Sequence, residues 1–155
     1  MKIYEILSHT LYQRGTLLRH PTAAKWVFLD SLGITGIVNL YKADADLQVW
    51  SLAHPARVYW HRPIADGVRL DPKPLLTLAS EVERHIRSDR GRVLVMCHAG
   101  RNRSGLVSAL IIRQLLRCSG AGALAHVRSR RPHAVANTVF AAYLGSLESL
   151  DVQNI

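Results

Sequence analysis

The sequence predicts an α/β fold, in which a central, mainly parallel sheet of four to five strands is flanked by helices. Three observations predict it: strand candidates alternate with segments of helical period, the chain ends in consecutive helices, and its 155 residues contain no repeat and no Gly/Ser-rich linker. The composition, 48% hydrophobic and 20% charged, is typical of a globular protein. We therefore expect residues 1–155 to form one domain.

The N-terminal half alternates apolar or β-branched runs with helical segments. Strands are predicted at Ile3–Leu7, Leu11–Arg14, Ile34–Leu40 and Arg57–His61. A helix is predicted over Pro21–Leu32, because proline suits a first helical turn and Gly33 suits the position after a helix. A shorter helix is predicted over Ala43–Leu52.

The C-terminal half centres on one buried strand and the helix that follows it. Arg92–Met96 is a short apolar run, typical of a strand buried on both faces, and Ser104–Arg117 is apolar on nearly every side, as a central helix is. Further helices are predicted over Pro74–Arg87, Ala121–Ser129 and Ala134–Leu150. Ligands of such sheets bind at the carboxyl ends of strands, which directs attention to the loop after Met96.

The charge balance is basic, with 20 Lys and Arg against 11 Asp and Glu, a formal net charge of +9. Such a surface attracts polyanions, including nucleic acid. However, the cations are scattered along the chain except at Arg128, Arg130 and Arg131, and a solvated helix end explains that cluster. Charge alone therefore does not favour a nucleic-acid-binding function.

Nothing in the sequence predicts a membrane span or a disulfide-stabilised secreted fold. No apolar run approaches the roughly 20 residues that a spanning helix requires, and Met1–Gly15 has no signal-peptide core. The two cysteines, Cys97 and Cys118, are too few for a disulfide framework, and Cys118 is expected to be an ordinary residue at a helix end. We expect a cytoplasmic protein.

The loop between the predicted buried strand and the predicted central helix reads Cys97-His98-Ala99-Gly100-Arg101-Asn102-Arg103-Ser104-Gly105. Free backbone N–H groups and the positive end of the helix dipole make such a turn an anion site. Gly100 allows the loop to curl, and the planar guanidinium of Arg103 suits two phosphate oxygens. Helix N-termini and nearby cations favour thiolates, so Cys97 is a candidate nucleophile beneath a bound phosphate.

This loop resembles the Cys-x5-Arg signature of the cysteine-based protein tyrosine phosphatase superfamily, specifically its compact dual-specificity branch. Other segments resemble the same branch, in the family's order: Leu11–Gly15, Leu32–Ile34, Ile37–Leu40, Pro63–Gly67, and Arg128–Pro132 followed by Asn137 and Phe140. Within Pro63–Gly67, Asp66 stands where the family has its general acid. The resemblance spans most of the chain.

The resemblance implies a role for each residue of the site. Cys97 would attack phosphorus, Asp66 would protonate the leaving oxygen and then activate water, and the Ser104 hydroxyl would help the thiolate leave. The phosphate oxygens would be held by the Arg103 guanidinium and by the backbone N–H groups of His98, Ala99, Gly100, Arg101, Asn102 and Arg103. The resemblance implies no metal and no other cofactor. The implied partner is a phosphorylated protein, or another phosphorylated polyanion.

Two residues leave questions about this assignment. Met96 stands where the family usually has a histidine that orders the loop, so we expect a quantitative loss of activity rather than inactivity. Asp71 competes with Asp66 for the role of the acid. Because Asp71-Pro72 is typical of the turn that begins a helix, we expect Asp71 to cap that helix and favour Asp66 as the acid.

The substrate class also has alternatives. Phosphoinositide and phospholipid phosphatases of the superfamily are often basic at the positions of His98 and Arg101. RNA 5′-triphosphatases resemble the chain over residues 102–105, although they usually carry Thr-His after the cysteine. A phosphate-binding pseudophosphatase is the non-enzymatic alternative, but such modules usually lose the cysteine, the arginine or the acid. The sequence therefore favours a protein tyrosine or dual-specificity phosphatase.

Overall fold

The strands and helices occur in the predicted order. The computed structural model describes residues 2–150. Its elements are β1 (Ile3–Leu7), β2 (Leu11–Gly15), α1 (Thr22–Leu32), β3 (Gly36–Asn39), α2 (Ala45–Leu52), β4 (Val58–His61), α3 (Pro72–Asp89), β5 (Val93–Cys97), α4 (Arg103–Leu116), α5 (Gly120–Arg130) and α6 (Thr138–Ser146). No helix within these residues combines the length and the apolarity needed to cross a membrane.

The five strands form one sheet in the order β1-β2-β5-β3-β4. Only the β1–β2 pair is antiparallel, so the predicted mainly parallel sheet is confirmed. Gly15 pairs with Cys97, and Asn39 pairs with both Met96 and His61. The carboxyl ends of β2, β3, β4 and β5 therefore meet at one edge of the sheet, where such folds bind ligands.

Helices cover both faces of the sheet. On one face, the core includes residues of α3, α4, α5 and α6, and α4 is buried continuously from Ser104 to Ile112. On the other face, a smaller apolar cluster joins Leu29 of α1 and Leu47 of α2 to Met96 of β5. The prediction of a central helix is therefore confirmed, and β5 lies between the two apolar layers as predicted.

A buried ion pair fixes the turn between β3 and α2. Nζ of Lys25 lies 2.8 Å from Oδ2 of Asp44 and 2.9 Å from Oδ2 of Asp46, and Lys25 and Asp44 are 2% and 4% exposed. Asp44 also caps α2 by accepting a hydrogen bond from the N–H of Asp46 at 3.0 Å. These contacts hold the segment that carries Tyr41 and Lys42 against α1.

The prediction of a helix over Ala134–Leu150 is wrong at both ends. The helix begins only at Thr138, because the side chain of Asn137 accepts hydrogen bonds from the N–H groups of Val139 and Phe140 and thereby caps it. It ends at Ser146. Residues 134–137 instead form a loop, in which Val135 has a φ of 59°.

Candidate active site

Three carbonyl groups of the loop after β5 accept hydrogen bonds from the surrounding structure. Four hydrogen bonds fix them: His98 O accepts from Thr16 N–H (3.2 Å), Gly100 O from Gln13 Nε2 (3.0 Å) and Arg131 Nε (3.1 Å), and Arg101 O from Val135 N–H (3.2 Å). Within residues 2–150, no backbone N–H of residues 98–103 donates a hydrogen bond. Because the carbonyls are engaged on the outside, the N–H groups remain for an anion on the concave side, as in an anion-binding nest.

Gly100 is required by the packing of this loop against β2. Its φ is +66°, in the left-handed region, and a Cβ at this position would overlap the backbone of Arg14 and Gly15. The loop therefore lies directly on the end of the neighbouring strand.

Cys97 and Ser104 lie together at the base of the loop. Sγ of Cys97 is 3.3 Å from Oγ of Ser104, and both residues are buried. Ser104 is in the first turn of α4, so the positive end of the helix dipole lies beside the sulfur. A hydroxyl at this distance can donate a hydrogen bond to a thiolate.

Arg103 is fixed from two sides. Its Nη1 donates to the carbonyl of Ile64 at 3.2 Å, and its guanidinium carbon lies 5.5 Å from the centre of the Tyr41 ring. The Nε of Arg103 is buried and has no hydrogen-bond partner among the described residues. Since an unpaired buried donor is costly, this N–H indicates a site that an anion completes.

Two amide side chains hold Asp66 above the loop. Nδ2 of Asn102 donates to Oδ2 of Asp66 at 2.9 Å, and Nδ2 of Asn137 donates to Oδ1 at 2.9 Å. Nδ2 of Asn137 also donates to the carbonyl of Gly67 at 3.0 Å, while its N–H donates to Oδ1 of Asn102 at 3.1 Å. Asn102 therefore joins the loop of residues 97–103 to both the segment of residues 63–67 and the start of α6.

The environment of Asp66 favours its carboxylate form. Partial burial alone would raise the pKa of Asp66, but the hydrogen bonds from Asn137 and Asn102 and the charges of Arg103 and Arg101 outweigh it, so the pKa is lowered. A carboxyl group held in this way is mostly ionised near neutral pH. Binding of a phosphate dianion would oppose the shift by adding negative charge beside the carboxyl group.

Asp71, the other candidate for the acid, caps a helix as predicted. It is the N-cap of α3, and its Oδ1 accepts a hydrogen bond from the N–H of Lys73 at 3.4 Å. Trp60 in β4 is 7% exposed and lies edge-on to His85, with ring centres 5.5 Å apart. Among residues 2–150, no three His, Cys, Asp or Glu side chains come close enough to hold a metal ion.

The structure also brings in residues that sequence reasoning did not assign to the site. Tyr41 lies against both Arg103 and His98, with its ring centre 4.9 Å from that of His98. Gln13, fully buried, holds the loop through Gly100, and Asn137 holds Asp66. One sequence signal could have indicated Tyr41: it follows β3 closely, and ligands bind at the edge of the sheet where the parallel strands end.

Comparisons with known proteins agree with this arrangement. The family model described as dual specificity phosphatase, catalytic domain, matches residues 17–149. A search of curated proteins gave no match.

Solved structures show the same fold at low sequence identity. PTP-2 phosphatase from Cydia pomonella is 20% identical with a TM-score of 0.77, and the match covers 93% of this chain and 88% of that one. Human DUSP28 is 22% identical with a TM-score of 0.72, covering 94% and 92%. A variant of P. aeruginosa TpbA, solved in complex with pTyr, is 22% identical with a TM-score of 0.63, covering 90% and 81%. Because the family model spans most of the sequence, the chain belongs to the dual-specificity phosphatase family, within the cysteine-based protein tyrosine phosphatase superfamily.

Proposed function

We propose that this chain hydrolyses phosphate monoesters of phosphorylated proteins, phosphotyrosine among them, through a cysteinyl-phosphate intermediate. The observation that carries the proposal is the set of donors that follows Cys97: the N–H groups of residues 98–103 and the buried, unpartnered Nε of Arg103. These donors match the oxygens of a phosphoryl group and supply the positive charge that its transfer needs. The pTyr complex of the TpbA variant, which shares the fold, supports phosphotyrosine as a substrate.

In the first step, the thiolate of Cys97 attacks phosphorus in line with the leaving oxygen. An S–P bond forms while the P–O bond to the substrate alcohol breaks, and the electron pair of that bond stays on the leaving oxygen. This oxygen takes a proton from the carboxyl group of Asp66. The N–H groups of the loop and the Arg103 guanidinium hold the three equatorial oxygens throughout.

In the second step, water attacks the phosphorus of the intermediate and gives a proton to the carboxylate of Asp66. The S–P bond breaks, and the sulfur of Cys97 leaves as a thiolate. The Ser104 hydroxyl, 3.3 Å from that sulfur, donates a hydrogen bond to the departing thiolate. Inorganic phosphate is released, and Asp66 is again protonated for the next substrate.

A pseudophosphatase usually lacks the cysteine, the arginine or the acid, whereas this chain has Cys97, Arg103 and Asp66. Cys97 and Ser104 are in contact, Arg103 is fixed by Ile64, and Asp66 is tied to the loop through Asn102. This favours turnover over mere phosphate binding.

The test compares Cys97→Ser and Asp66→Asn with the wild type on a phosphotyrosine peptide and on aryl phosphates whose leaving groups differ in acidity. Cys97→Ser is expected to abolish turnover while retaining binding of phosphate or vanadate. Asp66→Asn is expected to slow poor leaving groups by about 10²–10⁴-fold and good ones far less, because only poor leaving groups need the proton.

Asp71→Asn is the matched control, since it changes a nearby carboxylate that caps α3. It is expected to leave the dependence on the leaving group unchanged. Near-normal turnover by Cys97→Ser would overturn the mechanism. If Asp66→Asn left the leaving-group dependence as in the wild type, Asp66 would not be the acid.

A further inference from the structure

A cavity of about 260 Å³ opens beside residues 97–103, the proposed phosphate-binding loop. The loop after β2 contributes Arg19 and His20, the loop after β3 contributes Tyr41 and Lys42, and the phosphate-binding loop contributes His98. Since β2, β3 and β5 are parallel neighbours, their loops meet at the edge of the sheet that carries Cys97. The cavity therefore adjoins the reaction site.

The walls of the cavity carry positive charge without a matching carboxylate. Arg19 and Lys42 are exposed, and within the part of the chain that the structure describes neither forms an ion pair with a side chain. The carboxylates that follow Lys42 in the chain, Asp44 and Asp46, are both paired with Lys25. Two charged side chains thus remain available to an anion.

Tyr41 connects this cavity to the reaction site. The Lys42 ammonium and the Arg103 guanidinium each lie 5.5 Å from the centre of the Tyr41 ring, so these two charges are no farther apart than twice that distance. The ring of His98 lies against the same tyrosine. An anion at Lys42 and a phosphate at Arg103 can therefore belong to one compact molecule.

The cations on the other side of the loop, Arg101 and Arg128, already bind backbone carbonyl groups of the protein. Nε of Arg101 donates to His133 O at 3.0 Å, and the Arg128 guanidinium donates to the carbonyls of Ala134 and Val135, both at 2.9 Å. These side chains hold the loop before α6. The Arg19–Lys42 side is accordingly the better place for a second anionic group.

We propose that this cavity binds a second phosphate group of the substrate, and that the enzyme takes, besides phosphoproteins, a cyclitol or sugar bearing two phosphates. The proposal rests on the proposed function, because the first phosphate must occupy the Cys97 site. A rigid ring holds two phosphates at a short, fixed spacing, whereas a doubly phosphorylated peptide loses backbone and side-chain freedom to reach both sites. Arg19 and Lys42 provide the charge that recognises the second phosphate.

The experiment measures kcat/KM for an inositol monophosphate and for an inositol bisphosphate with phosphates on neighbouring carbons. The proteins compared are the wild type, Arg19→Gln, Lys42→Gln and the double variant. Arg130→Gln and Lys73→Gln are matched controls, since both change exposed cations outside the cavity. The same two headgroups are also presented as lipids in phosphatidylcholine vesicles, which shows whether the free or the lipid-linked form is the source.

For the wild type, kcat/KM is expected to be about tenfold or more higher for the bisphosphate than for the monophosphate. Hydrogen bonds to a charged group give an effect of this size. The double variant is expected to lose this preference, and the controls to keep it. Equal kcat/KM values for the two inositol phosphates in the wild type, or a preference that survives in the double variant, would overturn the inference. A larger preference for a doubly over a singly phosphorylated peptide would overturn the cyclitol or sugar class.

The two proposals fail in different ways. Hydrolysis of the monophosphate that depends on Cys97, without any preference for the bisphosphate, would overturn only this inference. Absence of hydrolysis for the monophosphates, including a phosphotyrosine peptide, would overturn the proposed function as well.

Discussion

Replacing Asn137 by serine is expected to release Asp66 and Gly67 from α6 while leaving the cap of this helix in place. Nδ2 of Asn137 donates to Oδ1 of Asp66 (2.9 Å) and to Gly67 O (3.0 Å), whereas its Oδ1 accepts from the N–H groups of Val139 (3.0 Å) and Phe140 (3.2 Å). Serine is a good N-cap but is too short to reach Asp66. Alanine removes both the cap and the bond to Asp66. Comparing the two variants therefore separates the effect of losing the cap from the effect of losing the contact with Asp66.

The magnitudes follow from these contacts. Loss of the cap is expected to make Asn137→Ala less stable than Asn137→Ser by about 1 kcal/mol in the free energy of unfolding, because both variants lose the bond to Asp66 and only serine keeps the cap. A hydrogen bond to a charged group contributes about 1.5–3 kcal/mol, and the exposure of Asp66 puts this one at or below the lower end. Since about 1.4 kcal/mol corresponds to tenfold, both variants are expected to lose about tenfold in kcat for poor leaving groups at pH values low enough for Asp66 to be protonated in the substrate complex.

The pH dependence has a defined sign. The amide of Asn137 lowers the pKa of Asp66 by stabilising the carboxylate, so its removal raises that pKa. Protonated Asp66 then persists to higher pH, and the alkaline limb of kcat/KM moves upward in both variants. The lowered pKa also contributes stability that is present above the pKa of the unfolded chain and is lost as pH falls. The wild type and Asn137→Ser should therefore approach each other in stability at low pH.

The assay combines pH–rate profiles on aryl phosphates with urea unfolding of the wild type, Asn137→Ser and Asn137→Ala. An unchanged alkaline limb and an unchanged leaving-group dependence in both variants would refute the idea that Asn137 positions the acid. A rate loss in Asn137→Ala alone would assign the effect to the cap instead.

Three further outcomes follow from the geometry of the site. Arg103→Lys keeps the charge but loses the planar pair of donors, so kcat/KM should fall at least tenfold, measured by steady-state kinetics on a phosphotyrosine peptide. Gly100→Ala forces a Cβ into the backbone of β2 at a φ of +66°, so it should lower the free energy of unfolding by more than about 1 kcal/mol and abolish phosphate binding; an active, stable variant would contradict the packing described. Asp71→Ala should cost about 1 kcal/mol in urea unfolding without altering the leaving-group dependence.

The strands and helices could be predicted because each carries its own local pattern. The run that forms β5 and the nearly all-apolar α4 are visible in the sequence, and both lie where predicted. The start of α6 was predicted too early, because a side chain of α5 decides it together with the Asn137 cap. The Arg128 guanidinium binds the carbonyls of Ala134 and Val135 and holds them outside the helix, although the local composition is helical.

The site shows the same division between local and distant information. The spacing of Cys97 and Arg103 follows from a single loop and could be read directly. The hydrogen bond between Asn137 and Asp66 joins residues 71 positions apart, and no periodicity records such a contact. From the sequence, only the backbone N–H of Asn102 was expected to take part in the site. Its side chain also donates a hydrogen bond to Asp66, and this contact depends on where the segment around Asp66 lies in the fold.

The loop of residues 97–103 is ordered although Met96 stands where the family usually has a histidine, immediately before the cysteine. Met96 is 1% exposed and packs in the apolar cluster with Leu29 and Leu47, on the face of the sheet covered by α1 and α2. The loop is held instead from outside, by donors from β2, the residue after it and the end of α5: Gln13 Nε2, Thr16 N–H and Arg131 Nε. Because these donors engage carbonyl groups, they order the loop and leave its N–H groups free for the phosphate. Order in the loop therefore depends on bonds to its outer side, none of which uses the Met96 side chain, and the loss of activity expected from Met96 stays a prediction.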